Sequence, residues 1–205
     1  DRQYTTQANS LARRSTQTAM YHIMEAMARW MAPILSFTAD EIWQYIPGVR
    51  EESVFLTTWY EGLIALSDKE TMNRDYWEKI RTVRDVVNKE IERLRGDNVL
   101  GSALEAEVTL YVDADLQKKL VVLDDELRFV LITSRATVEN IKKAPDDAVH
   151  TTLTGLKLKV SASQHKKCVR CWHRRAEVGK NAKHPELCER CVTNVDGKGE
   201  ERRYI

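Results

Sequence analysis

The sequence predicts an α+β fold: a mainly helical bundle, a small α+β junction unit, and a compact C-terminal module built on four cysteines. Three observations carry this. Apolar residues recur at helical steps through much of the first hundred residues. The period drops to two in "EAEVTLYVD" and again in "LKLKVSAS", as half-buried strands require. All four cysteines fall between 168 and 191, as two Cys-x-x-Cys pairs. The expected boundaries are 1–100, 101–163 and 164–205.

Ala12, Ala19, Ile23, Ala26, Met27, Trp30 and Ile34 share one helix face, and Pro33 should kink or end that helix. Its Trp and Met residues are expected in the core, with His22 as a satisfied core or edge histidine. Thr38-Ala39-Asp40-Glu41 has the form of a capping box. It predicts a short helix carrying Ile42, Trp43 and Ile46, stopped by Pro47-Gly48. Residues 49–68 read as irregular, with a strand-like "SVFLT". Trp77, Ile80, Val83, Val87, Ile91 and Leu94 form an apolar stripe that stops at Gly96. Its other faces carry Lys79, Arg81, Arg84, Lys89, Arg93 and Arg95, mixed with Glu90 and Glu92. Beyond Gly101, Ala106, Val108, Leu110 and Val112 alternate. Leu116, Leu120, Leu123, Leu127 and Val130 return to helical spacing. "LITSRATVENI" is β-rich, "KKAPDDAVHTTLTG" reads as a polar loop, and Leu156, Leu158 and Val160 alternate with Lys157 and Lys159.

Composition is that of a soluble protein, with 42% apolar and 31% charged residues. No signal peptide opens the chain, and no stretch approaches the roughly 20 apolar residues of a membrane span. The expected location is cytoplasmic. The chain has no initiator methionine, and Asp1 falls near the start of a helical pattern, so a fragment of a longer protein is expected, truncated at its N-terminus. Net charge is +1 overall, but residues 161–205 carry 11 basic and 6 acidic side chains. Such a tail fits either a polyanionic partner or a solvated surface.

Cys168/Cys171 and Cys188/Cys191 are separated by 16 residues. Two tight turns of this kind aim four thiolates at one ion and fill a tetrahedral zinc site. A thioredoxin-like redox motif needs only one pair. A closed four-sulfur site leaves no position for water, so one structural zinc is expected and no catalytic residue. His173 and His184 are then neighbours of the site or surface residues. The module also presents Arg170, Trp172, Arg174, Arg175 and Arg190, with Lys180 and Lys183 as solvated charges. Arginine forks phosphate and base edges, and an indole stacks on an unpaired base. Trp172 has a second reading, packing against its own knuckle. Nucleotide-cradling glycine motifs and a Gly-x-Ser-x-Gly elbow are absent. The acidic clusters Asp124-Asp125-Glu126 and Asp146-Asp147 read as solvated surface.

"ARWMAPILSFTADEIWQYIPG" resembles the signature of the anticodon-binding helical domain of the class I synthetases for valine, isoleucine and leucine. "VRDVVNKEIERLRGDNVLGSALEAEVTLY" resembles the helix and strand that follow it. "KCVRCWHRRAEVGKNAKHPELCERCV" resembles the C-terminal zinc module of bacterial isoleucyl-tRNA synthetases. A similar finger occurs in DNA glycosylases of the formamidopyrimidine type, whose catalytic proline and body this sequence lacks. The resemblance implies the tRNA-binding portion of a ligase that attaches isoleucine to tRNA-Ile using ATP. The His-Ile-Gly-His and Lys-Met-Ser-Lys-Ser signatures of that chemistry are absent, so ATP belongs to the parent enzyme. The implied partners are tRNA-Ile and the catalytic body of the same polypeptide, in a monomer. Arg170, Trp172, Arg174, Arg175 and Arg190, with Arg81, Arg84 and Lys89 on the long helix, are the expected tRNA contacts. Two alternatives stand beside this: a zinc-stabilised docking module, and a zinc-finger DNA-binding protein.

Overall fold

The computed structural model describes residues 2–204. The chain divides into two compact units, residues 8–66 and residues 67–204 joined by the N-terminal segment up to Gln7.

The first unit contains α2 (Leu11–Met31) and α3 (Ser36–Tyr45); α1 (Arg2–Thr5) precedes it in sequence. Ser10 caps α2 by accepting from the Arg13 amide. The core is small: Ala28, Ala32, Ala39, Trp43, Ile46 and Val54. Only one edge of α2 is buried, through Glu25, Ala26 and Ala28. Met27 and Trp30, expected in the core, are 43% and 50% exposed, as are their stripe neighbours Ile23 and Ile34 at 52% and 82%, whereas Trp43 is buried as expected. Helical spacing identified a real apolar face, but two helices and a turn offer too little surface to cover it. The capping-box expectation also fails. Helix α3 begins at Ser36, Leu35 caps it without a side-chain bond, and Thr38 lies inside the helix. The tight turn after Met31 starts α3 early, because the Leu35 carbonyl already accepts the Ala39 amide. "SVFLT" is no strand: Val54–Leu56 forms a 3₁₀ turn. Asp40 Oδ1 holds that turn by accepting from Ser53 Oγ and the Val54 amide.

The second unit is built around a four-stranded sheet of order β2-β1-β4-β3. Helix α4 (Arg74–Gly96) leads into β1 (Ala106–Val112); α5 (Ala114–Leu120) and α6 (Leu127–Leu131) then cross over to β2 (Arg135–Asn140). β1 and β2 run parallel, as that crossover requires. β3 (Val149–His150) and β4 (Leu156–Ala162) add antiparallel strands. The alternation seen in sequence holds: Val108, Leu110, Leu156 and Leu158 join the α4 stripe Ile80, Val83, Val87 and Ile91 in one core. Thr109, Tyr111, Lys157 and Lys159 occupy the opposite face. The loop expected before β4 contains the short β3. Gly155 adopts a φ of 81° where a Cβ would meet Asp113, the residue that caps α5. No helix among the described residues is long and apolar enough to cross a membrane.

Candidate metal centre and its surroundings

Among the described residues beyond 163 there is one short helix, α7 (Glu189–Asp196), and a small buried cluster of the four cysteines and Val178, with Leu187 half-buried against it. Backbone bonds shape the first knuckle. The Cys168 amide donates to the His173 carbonyl and the Trp172 amide to the Cys168 carbonyl, both at 2.9 Å. This turn puts Trp172 at a φ of 66°, a left-handed conformation that a bulky residue adopts at a cost. The second pair sits at the N-terminus of α7, where the Cys188 amide donates to Cys168 Sγ at 3.3 Å.

All four thiols are free and buried, and their sulfurs lie within 4.8 Å of one another. A tetrahedral zinc with Zn–S near 2.3 Å separates its sulfurs by about 3.8 Å. Cys171 and Cys188 Sγ are 3.6 Å apart. The four-cysteine cluster is therefore positioned to hold a single structural zinc ion, with no coordination position left for substrate. The sulfurs resist ionising together. Hydrogen bonds from the other three pull the Cys168 thiol down, while Cys171, Cys188 and Cys191 are pushed up. A divalent cation removes that conflict by allowing all four to be thiolates. His173 faces the Cys171 carbonyl through Nδ1 at 3.1 Å. Burial and the nearby Arg128 push its imidazole down to about 4, so it is neutral at neutral pH. His184 pairs with Asp196 at 2.5 Å. Neither histidine belongs to the cluster.

The arginines singled out in sequence divide into two groups. The Arg174 amide donates to Ser134 Oγ at 2.6 Å, and its guanidinium pairs with Glu105 at 2.8 Å. Arg175 donates to the Ser134 carbonyl and pairs with Glu177 at 3.0 Å. These two bind the knuckle to the sheet unit. Arg170 Nη1 donates to the Thr5 carbonyl, and Arg190 Nη2 to Thr5 Oγ1 at 3.0 Å. Arg190 also pairs with Glu200 at 2.6 Å. Trp172 differs from all four: it is 55% exposed, with Lys167 Nζ 5.2 Å from its ring centre. Arg81 and Lys89 are exposed on α4, and Arg84 is half-buried. Ser134, Thr5 and Glu105 escaped the sequence reading because nothing in "LITSR" or the first residues distinguishes a polar residue that meets a distant knuckle. Lys167 was readable as the residue beside Cys168.

A family model described as the anticodon-binding domain of tRNA ligase matches residues 1–110. A second, described as a zinc finger found in FPG and IleRS, matches residues 166–194. Over 204 residues the chain is 56% identical to an isoleucine–tRNA ligase of Pseudomonas aeruginosa and 59% identical to one of Pseudomonas entomophila. It is 56% identical over 205 residues to that of Pectobacterium atrosepticum. Each match covers 100% of this chain and 22% of the relative.

Proposed function

Because this chain belongs to the family of anticodon-binding domains of tRNA ligases, we propose that it grips the anticodon arm of tRNA-Ile for an isoleucine–tRNA ligase. The parent enzyme, with ATP, attaches isoleucine to that tRNA in the cytoplasm, working as a monomer, and its catalytic body lies outside these residues. The chain spans about a fifth of the length of its curated relatives.

One observation supports the reading above the rest. The knuckle raises Trp172 half out of the surface, with Lys167 over one ring face. Anticodon bases are unpaired and splayed, so a base can stack on the other face of the indole while the ammonium meets a phosphate. Arg81, Arg84 and Lys89 on α4 are proposed as phosphate contacts that position the arm without reading it. We assign these roles over the helical residues 1–100, with 101–163 as junction and 164–205 as the zinc module. The test is binding of the chain to tRNA-Ile and to a variant with a changed anticodon at matched salt. Weaker binding of the variant is expected. Equal affinity would rule out anticodon reading, and preference for duplex DNA would favour a DNA-binding finger.

A second reading draws on the arginines. Arg170, Arg174, Arg175 and Arg190 all bond within the chain, which favours a docking role for the zinc module alongside RNA contact. Charge reversal at Arg174 and Arg175 separates the two. Docking predicts unchanged tRNA affinity of the intact enzyme; direct contact predicts lost affinity.

A further inference from the structure

Helix α1 has four residues, and isolated helices shorter than about 12–15 residues are marginal in water. Yet Thr5 and Thr6 are only 7% and 3% exposed. Long-range bonds to the zinc module hold this segment. Arg170 donates to the Thr5 carbonyl, Arg190 to the Thr5 hydroxyl at 3.0 Å, and Gln7 Nε2 to the Gly197 carbonyl at 2.7 Å. Gly199, at a φ of 88°, lies against Gln7 so closely that a Cβ there would sit 2.7 Å from Gln7 Oε1. The same two arginines belong to the cysteine knuckles. Arg170 lies between Cys168 and Cys171, and its Nη1 is 3.9 Å from Cys191 Sγ. Arg190 lies between Cys188 and Cys191, and its Nη1 is buried without a hydrogen-bond partner.

We infer that Arg170 and Arg190 form a clasp that makes the order of residues 3–7 depend on metal in the four-cysteine site. Each arginine is carried by one Cys-x-x-Cys turn, and both reach the same residue, Thr5. Their joint aim holds only while the two turns are fixed against each other. Four buried sulfurs in a module with little core fix them poorly without a cation, and metal binding supplies most of the folding free energy of such modules. Cys191 Sγ, 3.9 Å from Arg170 Nη1, offers that guanidinium a second acceptor that moves with the other turn. Loss of the metal therefore frees both donors and releases the segment that leads into α2. The inference stands on the fit of the sulfurs to zinc and is independent of RNA binding.

The test is hydrogen exchange read by mass spectrometry on the whole chain, zinc-loaded and chelator-stripped. Exchange in peptides covering residues 3–7 is expected to rise about tenfold or more on stripping. Arg170→Gln and Arg190→Gln are expected to give the same rise while zinc content and protection over 168–191 persist. Two results overturn the clasp. One is a stripped chain in which residues 3–7 keep their protection, whether or not 168–191 lose theirs. The other is a zinc-retaining arginine variant with wild-type exchange at 3–7. Should both arginine variants lose zinc, Thr5→Val leaves the knuckles intact and removes one acceptor. Severalfold faster exchange at 3–7 in that variant supports the clasp, and unchanged exchange overturns it.

Discussion

The Ser134 hydroxyl receives the Arg174 backbone amide at 2.6 Å and donates onward to the Leu104 carbonyl at 2.5 Å. One fully buried side chain thus joins the zinc knuckle to the entry of β1. The Ser134 amide donates to Ala106 and its carbonyl accepts from Arg175, so every polar group of this residue bridges two elements. Ser134→Ala would leave an amide and a carbonyl without their partner in a closed interface. Each such group costs about 1–3 kcal/mol, so a loss of roughly 2–6 kcal/mol is expected in urea unfolding of the zinc-loaded chain. A loss under about 0.5 kcal/mol, the range of an ordinary surface change, would contradict the bridging role.

Removing one ligand should have a larger effect than removing that bridge. Cys168 receives the Cys188 amide on its sulfur and anchors both knuckles. Cys168→Ala is expected to abolish stoichiometric zinc, and with it the roughly 10–16 kcal/mol that structural zinc supplies to comparable modules. The readouts are elemental analysis and limited proteolysis, with cleavage expected in residues 164–204 while the α4–sheet core persists. A variant with one zinc per chain and a protected module would refute the four-cysteine site.

What was legible in the sequence follows from how local each signal is. The cysteine pairs, the α4 stripe and the alternation of β1 and β4 are short-range patterns, and each element stands where its period put it. The α2 stripe was read correctly as a helix face, but its Met27 and Trp30 were wrongly expected in the core, because burial depends on partners and periodicity reports only one surface. Thr38 and Glu41 have capping-box spacing, but a turn closing through Leu35 and Ala39 competes for the same residues and starts the helix earlier. The arginines show the same limit at the site. Charge and position made Arg174 and Arg190 resemble phosphate ligands. Their partners Glu105 and Glu200 lie 69 and 10 residues away, and no local pattern announces such pairs.

The helical unit is expected to lose stability in acid through Glu25. This buried carboxylate accepts from Arg29 at 2.5 Å and Arg50 at 2.9 Å, and both guanidiniums lie over Trp43. Burial pushes its carboxyl up, but the bonds from Arg29, Arg50 and Tyr21 outweigh burial and hold it below the ordinary 4.5. A depressed carboxyl stabilises fully above its unfolded pKa, and that contribution is lost as pH falls through the lower folded value. The affected window therefore lies below pH 4.5. Glu25→Gln should flatten that acid limb and cost about 3 kcal/mol at neutral pH, since two half-buried guanidiniums lose their counter-charge. Helical ellipticity against urea at neutral and acid pH measures both effects. An unaltered acid limb in the variant would remove Glu25 from the account.

Trp172 is where stability and function are expected to part. Its left-handed backbone costs about 1–2 kcal/mol relative to a relaxed residue, and glycine removes that cost. Trp172→Gly should therefore leave zinc content unchanged and unfolding stability equal or higher. If the exposed indole stacks on an anticodon base, the same variant loses about 1–3 kcal/mol of tRNA affinity, roughly 5- to 150-fold. Lys167→Ala provides the contrast. Loss of a phosphate contact weakens all tRNAs alike and lowers the salt slope by about one, whereas loss of a stack leaves the slope unchanged. Should Trp172→Gly bind tRNA-Ile as tightly as the parent, the indole is a knuckle residue only. The anticodon reader must then be sought on α4, around Arg81 and Lys89. A destabilised Trp172→Gly would instead mean that ring packing against Lys167 outweighs the backbone cost.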